Sequence, residues 1–315
     1  MLTGLVLKST GKFYNVLLKN GTEITARIRG KIRLEGLRTT NPVAVGDKVE
    51  LNQDEETTDI YTINSVLPRS NYLIRKSTNL SKQKQILASN IDRIYLVITV
   101  EQPNTHQGFI DRFLVSAEAY RIPVSIIFNK IDLYSPKSKS KMLYWKTSYE
   151  KIGYPCHFVS TLETESYGFL KDDLQGKQVL FAGNSGVGKS SLVKCIDSTI
   201  DLRIGDISDV HLLGKHTTTF AEMFPVKTGG FIIDSPGIRA FGLTDMKKEE
   251  IAHYFLEMRK LLGQCKFHNC LHMNEPHCAV KKAVEMSEIE ESRYINYLQM
   301  IEDQEDDIHR RNDYE

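Results

Sequence analysis

Residues 183–190 read Gly183-Asn184-Ser185-Gly186-Val187-Gly188-Lys189-Ser190, a G-x-x-x-x-G-K-S pattern. The other patterns of the sequence are interpreted in relation to it. An apolar run at 178–182 precedes it, and Ser191 opens a segment compatible with a helix to residue 196. The glycines let backbone N–H groups turn toward a polyphosphate, the lysine reaches the β and γ phosphates, and the serine hydroxyl can ligate Mg²⁺. The flanking strand and helix argue against a glycine turn that binds nothing. The pattern therefore predicts a phosphate-binding loop between a strand and a helix.

A second pattern, Asn129-Lys130-Ile131-Asp132, ends an apolar and β-branched run at 122–128 that reads as a buried strand. The carboxylate of Asp132 can accept hydrogen bonds from guanine N1–H and its exocyclic amine, which adenine does not supply. The aliphatic stem of Lys130 can lie along the plane of the base. An N-K-x-D tetrapeptide alone arises by chance, but together with a phosphate loop it predicts guanine nucleotides as the ligand.

A third pattern follows the apolar run 230–233 and reads Asp234-Ser235-Pro236-Gly237, a D-x-x-G. In this pattern the aspartate can hold Mg²⁺ through water and the N–H of Gly237 can sense the γ-phosphate. The polar loop upstream contains His216 followed by Thr217, Thr218 and Thr219, whose hydroxyls are available to the metal. Ser160 and Thr161 are similar to the loop that packs on the guanine base in GTPases.

The order of these patterns is unusual, because 129–132 and Ser160 precede the phosphate loop instead of following it. A circular permutation of this kind preserves the site if each pattern lies on a loop at the same edge of a sheet. Over essentially its whole length the sequence resembles the circularly permuted, small-subunit-dependent GTPases of the RsgA/YjeQ family. The resemblance implies an α/β fold: a circularly permuted P-loop GTPase domain with an N-terminal OB-type β-barrel and a C-terminal helical zinc-binding domain. It also implies GTP hydrolysis in late maturation of the bacterial small ribosomal subunit.

The composition is that of an ordinary globular protein, with 315 residues, 41% hydrophobic and 26% charged. Residues 1–90 carry 14 Lys and Arg against 8 acids, whereas residues 285–315 carry 3 against 11. This polarity indicates a basic end that meets phosphate and an acidic end that does not; the alternative is two solvated faces without a partner. No stretch approaches the ~20 apolar residues of a membrane span, and no charged leader precedes an apolar core. We expect a cytoplasmic protein.

The first 75 residues predict a small closed barrel of the oligonucleotide-binding type. Asn20-Gly21 is a strong hairpin turn. The five expected strands are 4–9, 13–19, 22–29, 47–51 and 59–67. Basic residues cluster here, with two aromatic residues nearby for stacking on bases: Arg27, Arg29, Lys31, Arg33, Arg38, Phe13 and Tyr14. An SH3-like barrel with merely solubilising charges is the alternative, and the family resemblance favours contact with nucleic acid. Residues 71–90 read as a polar linker into the next domain.

A cysteine and histidine cluster lies late in the chain, at Cys265, Cys270, His272 and Cys278. Three thiolates and an imidazole suit tetrahedral Zn²⁺, and four protein ligands leave no open position for a substrate. One structural zinc ion per chain is therefore predicted. His268 and His277 are rival ligands, and the family pattern favours His272. Beyond the cluster, Ser287-x-x-Glu290 predicts a capping box that opens a last helix.

These patterns together predict phosphoryl transfer from GTP to water. Lys189 and the loop N–H groups would hold the phosphates, while Ser190 and one of the threonines 217–219 ligate Mg²⁺. Ile238 stands where Ras-like enzymes carry a water-orienting glutamine, so intrinsic turnover should be slow. His216 is our candidate for positioning the water, a role that the resemblance also suggests; the alternative is that it packs or contacts RNA. A nucleic-acid-binding module with a vestigial GTP site is the rival function.

The predicted domains are an RNA-binding barrel at 1–75, the permuted GTPase domain at 76–244 and the zinc-binding helical domain at 245–315. The expected partners are the small ribosomal subunit with its rRNA, and GTP and GDP. No membrane contact is expected, and the protein is predicted to be a monomer.

Overall fold

The computed structural model describes residues 2–28, 41–53, 59–76, 84–200, 202, 221–234 and 246–312. Several residues named above lie outside these ranges: Arg29, Lys31, Arg33, Arg38, His216, Thr217, Thr218, Thr219, Gly237 and Ile238. Within the described ranges, no helix combines the length and the apolar character that crossing a membrane requires.

The regular elements follow the order barrel, α/β unit and C-terminal unit. The strands are β1 Leu2–Ser9, β2 Phe13–Leu18, β3 Glu23–Ile28, β4 Lys48–Gln53, β5 Ile60–Val66, β6 Tyr72–Lys76, β7 Lys84–Ser89, β8 Arg93–Ile98, β9 Val124–Phe128, β10 Cys156–Phe158, β11 Gln178–Ala182, β12 Glu222–Val226 and β13 Gly230–Asp234. The α-helices are α1 Gln107–Ala119, α2 Pro136–Ile152, α3 Thr164–Tyr167, α4 Phe169–Asp173, α5 Lys189–Ile196, α6 Lys248–Ile251, α7 Leu256–Arg259, α8 Ala279–Glu285 and α9 Glu291–Asn312.

The barrel is formed by β1 to β5 in the order β1-β2-β3-β5-β4, and it closes because β1 also pairs with β4. Strands β3 and β5 are parallel, and the other pairs are antiparallel. Alternate residues of each strand point inward, so Val6, Tyr14, Val16, Leu51 and Ile63 are fully or almost fully buried in one small core. The five predicted barrel strands are confirmed, each within a few residues of its expected bounds.

The α/β unit is built on six strands in the order β10-β9-β8-β11-β13-β12. All neighbours are parallel except β12, which runs antiparallel to β13. Strand β11, which carries the phosphate loop, lies at the centre of the sheet although it comes late in the chain. Mostly apolar strands such as Val124–Phe128, in which Ser125 is the one polar residue, are buried along their whole length, as expected for strands covered on both faces. The permuted order of the sequence patterns is thus compatible with one sheet.

The barrel is joined to the α/β unit by backbone pairing and by a buried ion pair. Strand β1 meets β12 at Lys8 and Glu222, whose side chains form a salt bridge of 2.8 Å. Asp47 is fully buried and accepts two hydrogen bonds of 2.6 Å from the guanidinium of Arg69. Its Oδ1 also accepts a 2.6 Å bond from the hydroxyl of Ser89. These contacts fix the barrel against the strands that follow it.

Two local predictions are wrong. Residues 71–90 were expected to form a linker, but they contain the antiparallel pair β6 and β7. The buried residues Leu73, Ile74 and Ile86 hold this pair in place, and the polar residues between them obscured that pattern. The last helix begins at Glu291 rather than at a cap on Ser287. Ser287 has φ +58° and its N–H donates to Val284 O at 2.9 Å, so it ends α8 instead.

Candidate nucleotide site and metal centre

The sequence patterns meet at one edge of the sheet, because each follows the carboxyl end of a parallel strand. The phosphate loop follows β11, N-K-x-D follows β9, Ser160 follows β10, and Asp234 ends β13. Ligands of open α/β sheets bind at this edge. Sequence positions more than fifty residues apart are thereby brought within hydrogen-bonding distance.

The phosphate loop adopts a backbone that only glycine accommodates at two positions. Gly183 has φ +141°, and a Cβ there would lie 2.1 Å from Val97 O. Gly188 has φ +95°, and a Cβ there would lie 2.4 Å from Nδ2 of Asn129. The Nζ of Lys189 donates to Gly183 O at 2.8 Å and to Asn184 O at 2.7 Å, so the ammonium lies across the loop. Lys189, Ser190 and Ser191 form the first turn of α5, whose N–H groups suit an anion.

The N-K-x-D residues contact the phosphate loop directly. Asn129 is buried, and its Nδ2 donates to Val187 O at 2.8 Å. Lys130 has φ +60°, and its Nζ donates to Gly186 O at 2.7 Å and to Gln102 O at 3.0 Å. The stem of this lysine therefore spans from the end of β9 to the loop after β11. The two patterns on which the guanine-nucleotide prediction depends lie side by side.

Asp132 is exposed and held by Ser160 from the neighbouring strand end. The Ser160 hydroxyl donates to Asp132 Oδ1 at 2.6 Å and accepts from Leu162 N at 3.2 Å. Ile131 joins the same strand ends, since its N–H donates to Val159 O at 3.4 Å, and Thr161 O accepts a weak bond from the Cys195 thiol. A carboxylate fixed in this way can present its acceptors to a ligand without reorganising.

The sequence analysis did not identify Tyr134, whose buried hydroxyl bonds the backbone of the N-K-x-D loop. Its hydroxyl donates to Asn129 O and accepts from Val100 N, each at 2.8 Å. The side chain is buried, and burial raises the pKa of Tyr134 to about 12. Tyr134 therefore ties the loop after β8 to the loop after β9. Its only sequence signal is an aromatic residue two positions after Asp132, which does not distinguish it from a core residue.

Asp234, at the end of β13, has an altered protonation equilibrium. Burial raises the pKa of its carboxyl to about 6; Glu222 also raises it, while Lys189 on the phosphate loop acts in the opposite direction. Burial disfavours the ionised form of this carboxyl, and a positive ion that approaches it favours that form again. The rest of the D-x-x-G pattern and the threonine loop lie outside the described residues.

The cysteine and histidine cluster is assembled as a possible metal centre. One ligand atom from each of Cys265, Cys270, His272 and Cys278 lies within 4.8 Å of the others, so the four could hold a metal ion. The Nδ1 of His272 is 3.6 Å from Cys265 Sγ and 3.3 Å from Cys278 Sγ. The rival ligands His268 and His277 are exposed and outside this group.

Backbone donors and two tyrosines support this cluster. The N–H groups of Ala279 and Lys281, at the start of α8, donate to Cys265 Sγ and Cys278 Sγ at 3.4 Å. Such bonds stabilise thiolates, which is the form that binds metals. Tyr294 and Tyr297 of α9 donate to His272 O at 2.6 Å and Leu271 O at 2.7 Å. The ligand loop is thus fixed to α8 and α9.

Comparisons with known families agree with this arrangement. The RsgA GTPase family model matches residues 66–244, and the RsgA N-terminal domain model matches residues 3–60. A small ribosomal subunit biogenesis GTPase RsgA from Bacteroides fragilis strain YCH46 is 49% identical over 98% of this chain and 99% of its own length. RsgA 2 from Bacteroides thetaiotaomicron is 50% identical with the same coverage.

Solved structures lead to the same result. The crystal structure of YjeQ from Thermotoga maritima has a TM-score of 0.78 at 34% identity, covering 96% of this chain and 98% of the other. YloQ, described as a circularly permuted GTPase, has a TM-score of 0.75 at 30% identity, with coverages of 97% and 96%. With barrel, permuted sheet and cysteine cluster all present, the chain belongs to the RsgA family and is a circularly permuted GTPase.

Proposed function

We propose that this GTPase is a nucleotide-switched assembly factor that acts late in maturation of the small ribosomal subunit and is stimulated by that subunit. The observation that carries the nucleotide part of the proposal is the contact of N-K-x-D with the phosphate loop, through Asn129 Nδ2 to Val187 O and Lys130 Nζ to Gly186 O. The names of the relatives supply the partner. We further propose that it is a cytoplasmic monomer that binds rRNA through the barrel.

In this proposal the residues of the chain bind and orient GTP. Asp132 accepts from the guanine base while Ser160 holds its other side, and the stem of Lys130 lies along the base. The loop N–H groups and Lys189, which leaves its two carbonyl partners, hold the phosphates. Charge stabilisation by the loop N–H groups, together with Lys189 once it has turned to the phosphates, is the main catalytic contribution expected from such a site.

Magnesium fits the residues available at the γ-phosphate end. Ser190 at the start of α5 and Asp234, with a carboxyl pKa of about 6, offer oxygen atoms beside the loop. We propose Ser190 and one of Thr217, Thr218 and Thr219 as ligands, with Asp234 acting through water and Gly237 sensing the γ-phosphate. When bound, Mg²⁺ neutralises charge on the phosphates. His216 is proposed to position the attacking water, because Ile238 has no group that could do so.

The metal held by the cysteine cluster is proposed to be one structural Zn²⁺. The donor set of three thiolates and one imidazole, with backbone N–H groups bonded to two of the sulfur atoms, favours zinc over harder cations. Metal analysis of the purified protein should give one zinc per chain, and Cys270→Ser should lower that content. A chain that purifies with full GTPase activity but no zinc would contradict this assignment.

The deciding experiment measures phosphate release from GTP and from ATP, each alone, with purified small subunits and with large subunits. We expect slow release from GTP only, accelerated only by small subunits. His216→Ala should lower the stimulated rate by roughly 10²- to 10⁴-fold with little change in GTP affinity. Small subunits that bind without accelerating release would favour the rival function, an RNA-binding module with a structural nucleotide site.

A further inference from the structure

Strand β1 brings one lysine of the barrel to the edge of the α/β sheet. The pairing of β1 with β2 shifts by one residue between Val6 and Lys8, and such a β-bulge changes the direction of the side chains beside it. Val6 packs in the core of the barrel, whereas Leu7 packs in the main core of the α/β unit. Lys8 then pairs with β12, directly opposite Glu222. The bulge therefore places a barrel cation on the α/β sheet.

Glu222 in turn lies directly opposite Asp234, its partner in the antiparallel pairing of β12 with β13. Directly opposite side chains share one face of a sheet, with Cβ atoms about 4.5 to 5.5 Å apart. Lys8, Glu222 and Asp234 thus form a row across three neighbouring strands. Asp234 is the end of this row that lies nearest to the phosphate loop, because β13 is the neighbour of β11.

The two carboxylates of this row repel each other, since like charges directly opposite one another destabilise a sheet. Burial raises the pKa of the Asp234 carboxyl, and the charge of Glu222 raises it further. The ammonium of Lys8 donates to Glu222 Oε1 at 2.8 Å, and the two side chains are 28% and 26% exposed. This ion pair offsets the repulsion and holds an oxygen atom of Glu222 on the side of the barrel.

We propose that Lys8 and Glu222 are positioning residues through which the barrel sets the Mg²⁺ affinity of the nucleotide site. With Asp234 ionised, the row carries one net negative charge, and loss of the lysine leaves two negative charges and releases the Glu222 carboxylate. A more negative site attracts a metal cation more strongly. Because coupling between sites is reciprocal, barrel movement that draws Lys8 away strengthens metal binding, and metal binding weakens the pair. This inference rests on the proposed function, because it assumes that Asp234 acts on Mg²⁺ through water.

The test measures the affinity for a non-hydrolysable GTP analogue as a function of Mg²⁺ concentration. Lys8→Gln removes the cation, Glu222→Gln removes the anion, the double variant removes both, and Lys8→Arg keeps a cation. The matched control is Lys177→Gln, because Lys177 pairs with Asp173 at 2.5 Å, is 37% exposed and lies directly before β11, at the opposite edge of the sheet. Far-ultraviolet circular dichroism and urea unfolding show that each variant is folded.

We expect Lys8→Gln to lower the Mg²⁺ concentration for half-maximal affinity by about fivefold, at the low end of typical coupling because the ion pair is partly exposed. Glu222→Gln should raise this concentration by a similar factor, since it leaves the cation beside Asp234 without its partner. The double variant should lie near the original protein, and Lys8→Arg and Lys177→Gln should match it. Opposite signs are decisive, because loss of a merely structural contact would weaken binding in both single variants.

The proposal is overturned if the two single variants change the Mg²⁺ requirement in the same direction, or if Lys8→Gln leaves it unchanged. It is also overturned if Lys177→Gln reproduces the change, or if Lys8→Arg behaves as Lys8→Gln. If the original protein binds the analogue equally well with and without Mg²⁺, this proposal and the proposed magnesium site are both wrong. Failure of small subunits to accelerate phosphate release would remove the proposed partner and leave this result intact, because the test contains no subunits.

Discussion

The nucleotide site and the interface of the C-terminal unit (residues 246–312) both join distant segments, but with opposite chemistry. At the nucleotide site, Asn129 and Lys130 donate to backbone carbonyls of a loop that lies at an open sheet edge. At the interface, Arg293 of α9 is 1% exposed and is surrounded by the carboxylates of Asp111 and Glu257. The first arrangement has the exposed Asp132 beside it, whereas the second buries its charged side chains away from solvent.

The buried interface satisfies its charges almost completely. The Nη1 of Arg293 donates to Asp111 Oδ1, and its Nε donates to Glu257 Oε1 at 2.5 Å. Asp111 of α1 also accepts from Tyr149 OH at 2.7 Å and from Asn296 Nδ2 at 2.6 Å. Buried ions are costly unless they are paired and hydrogen-bonded in this way. The comparison teaches that the loops of the nucleotide site are joined by side-chain donors to single backbone carbonyls, whereas the C-terminal unit is joined to α1 by a buried network in which each charge has several partners.

Arg293→Ala is the strongest test of this difference. It leaves two buried carboxylates without their cation, and we expect the free energy of unfolding to fall by about 3 to 5 kcal/mol. Arg259→Ala is the matched control at the same interface, because Arg259 is half-exposed and its 3.3 Å pair with Glu118 is worth at most about 1 kcal/mol. Urea unfolding followed by circular dichroism measures both. Equal losses in the two variants would show that the buried network is not what holds the unit.

The sequence predicts most of the nucleotide site and the cysteine cluster, but it predicts almost nothing of the interface around Arg293, for a physical reason. Phosphate loops, N-K-x-D and cysteine clusters require particular residues at fixed spacings, so Lys189 and the cysteine ligands could be predicted from the sequence, and the family pattern added His272. Arg293 has partners 182 and 36 positions away, and no spacing rule connects them. An arginine in a helix with many acidic residues is expected to be on the surface, and only the packing of α9 on α1 reverses that expectation.

The two wrong local predictions have the same origin. The composition of residues 71–90 is polar, but strand pairing depends on a few buried residues such as Leu73 and Ile86 and not on the mean polarity of the segment. The S-x-x-E pattern at Ser287 also fits the end of a preceding helix, and tertiary packing places the new helix start at Glu291. Local patterns identify candidate structures, and long-range contacts choose among them.

Tyr134→Phe tests whether the nucleotide site also depends on a buried contact. The change removes one hydroxyl and leaves the buried groups Val100 N–H and Asn129 C=O without their partner, at a cost of about 1 to 3 kcal/mol. Part of this cost should be measured as weaker GDP binding, because Asn129 positions the phosphate loop. Tyr144→Phe is the control, since its hydroxyl bonds Glu290 on a half-exposed helix face. If GDP affinity is the same in both variants and the original protein, Tyr134 supports only the fold.

The smallest expected effect is a pH dependence of GTP affinity at the nucleotide site, caused by the titration of Asp234. Burial raises the pKa of this carboxyl from 3.8 to about 6, so the folded protein takes up a proton more readily than the unfolded chain. The contribution of this group to folding stability is present below pH 3.8 and is lost as pH rises through 6.

Magnesium requires the ionised form, so Mg²⁺-dependent GTP affinity should increase up to about tenfold per pH unit below pH 6 and level off above it. Calorimetric titration of GTP at pH 5 to 8, with and without Mg²⁺, measures this profile. Asp234→Asn should remove the pH dependence, and an unchanged profile in that variant would assign the titration to another group.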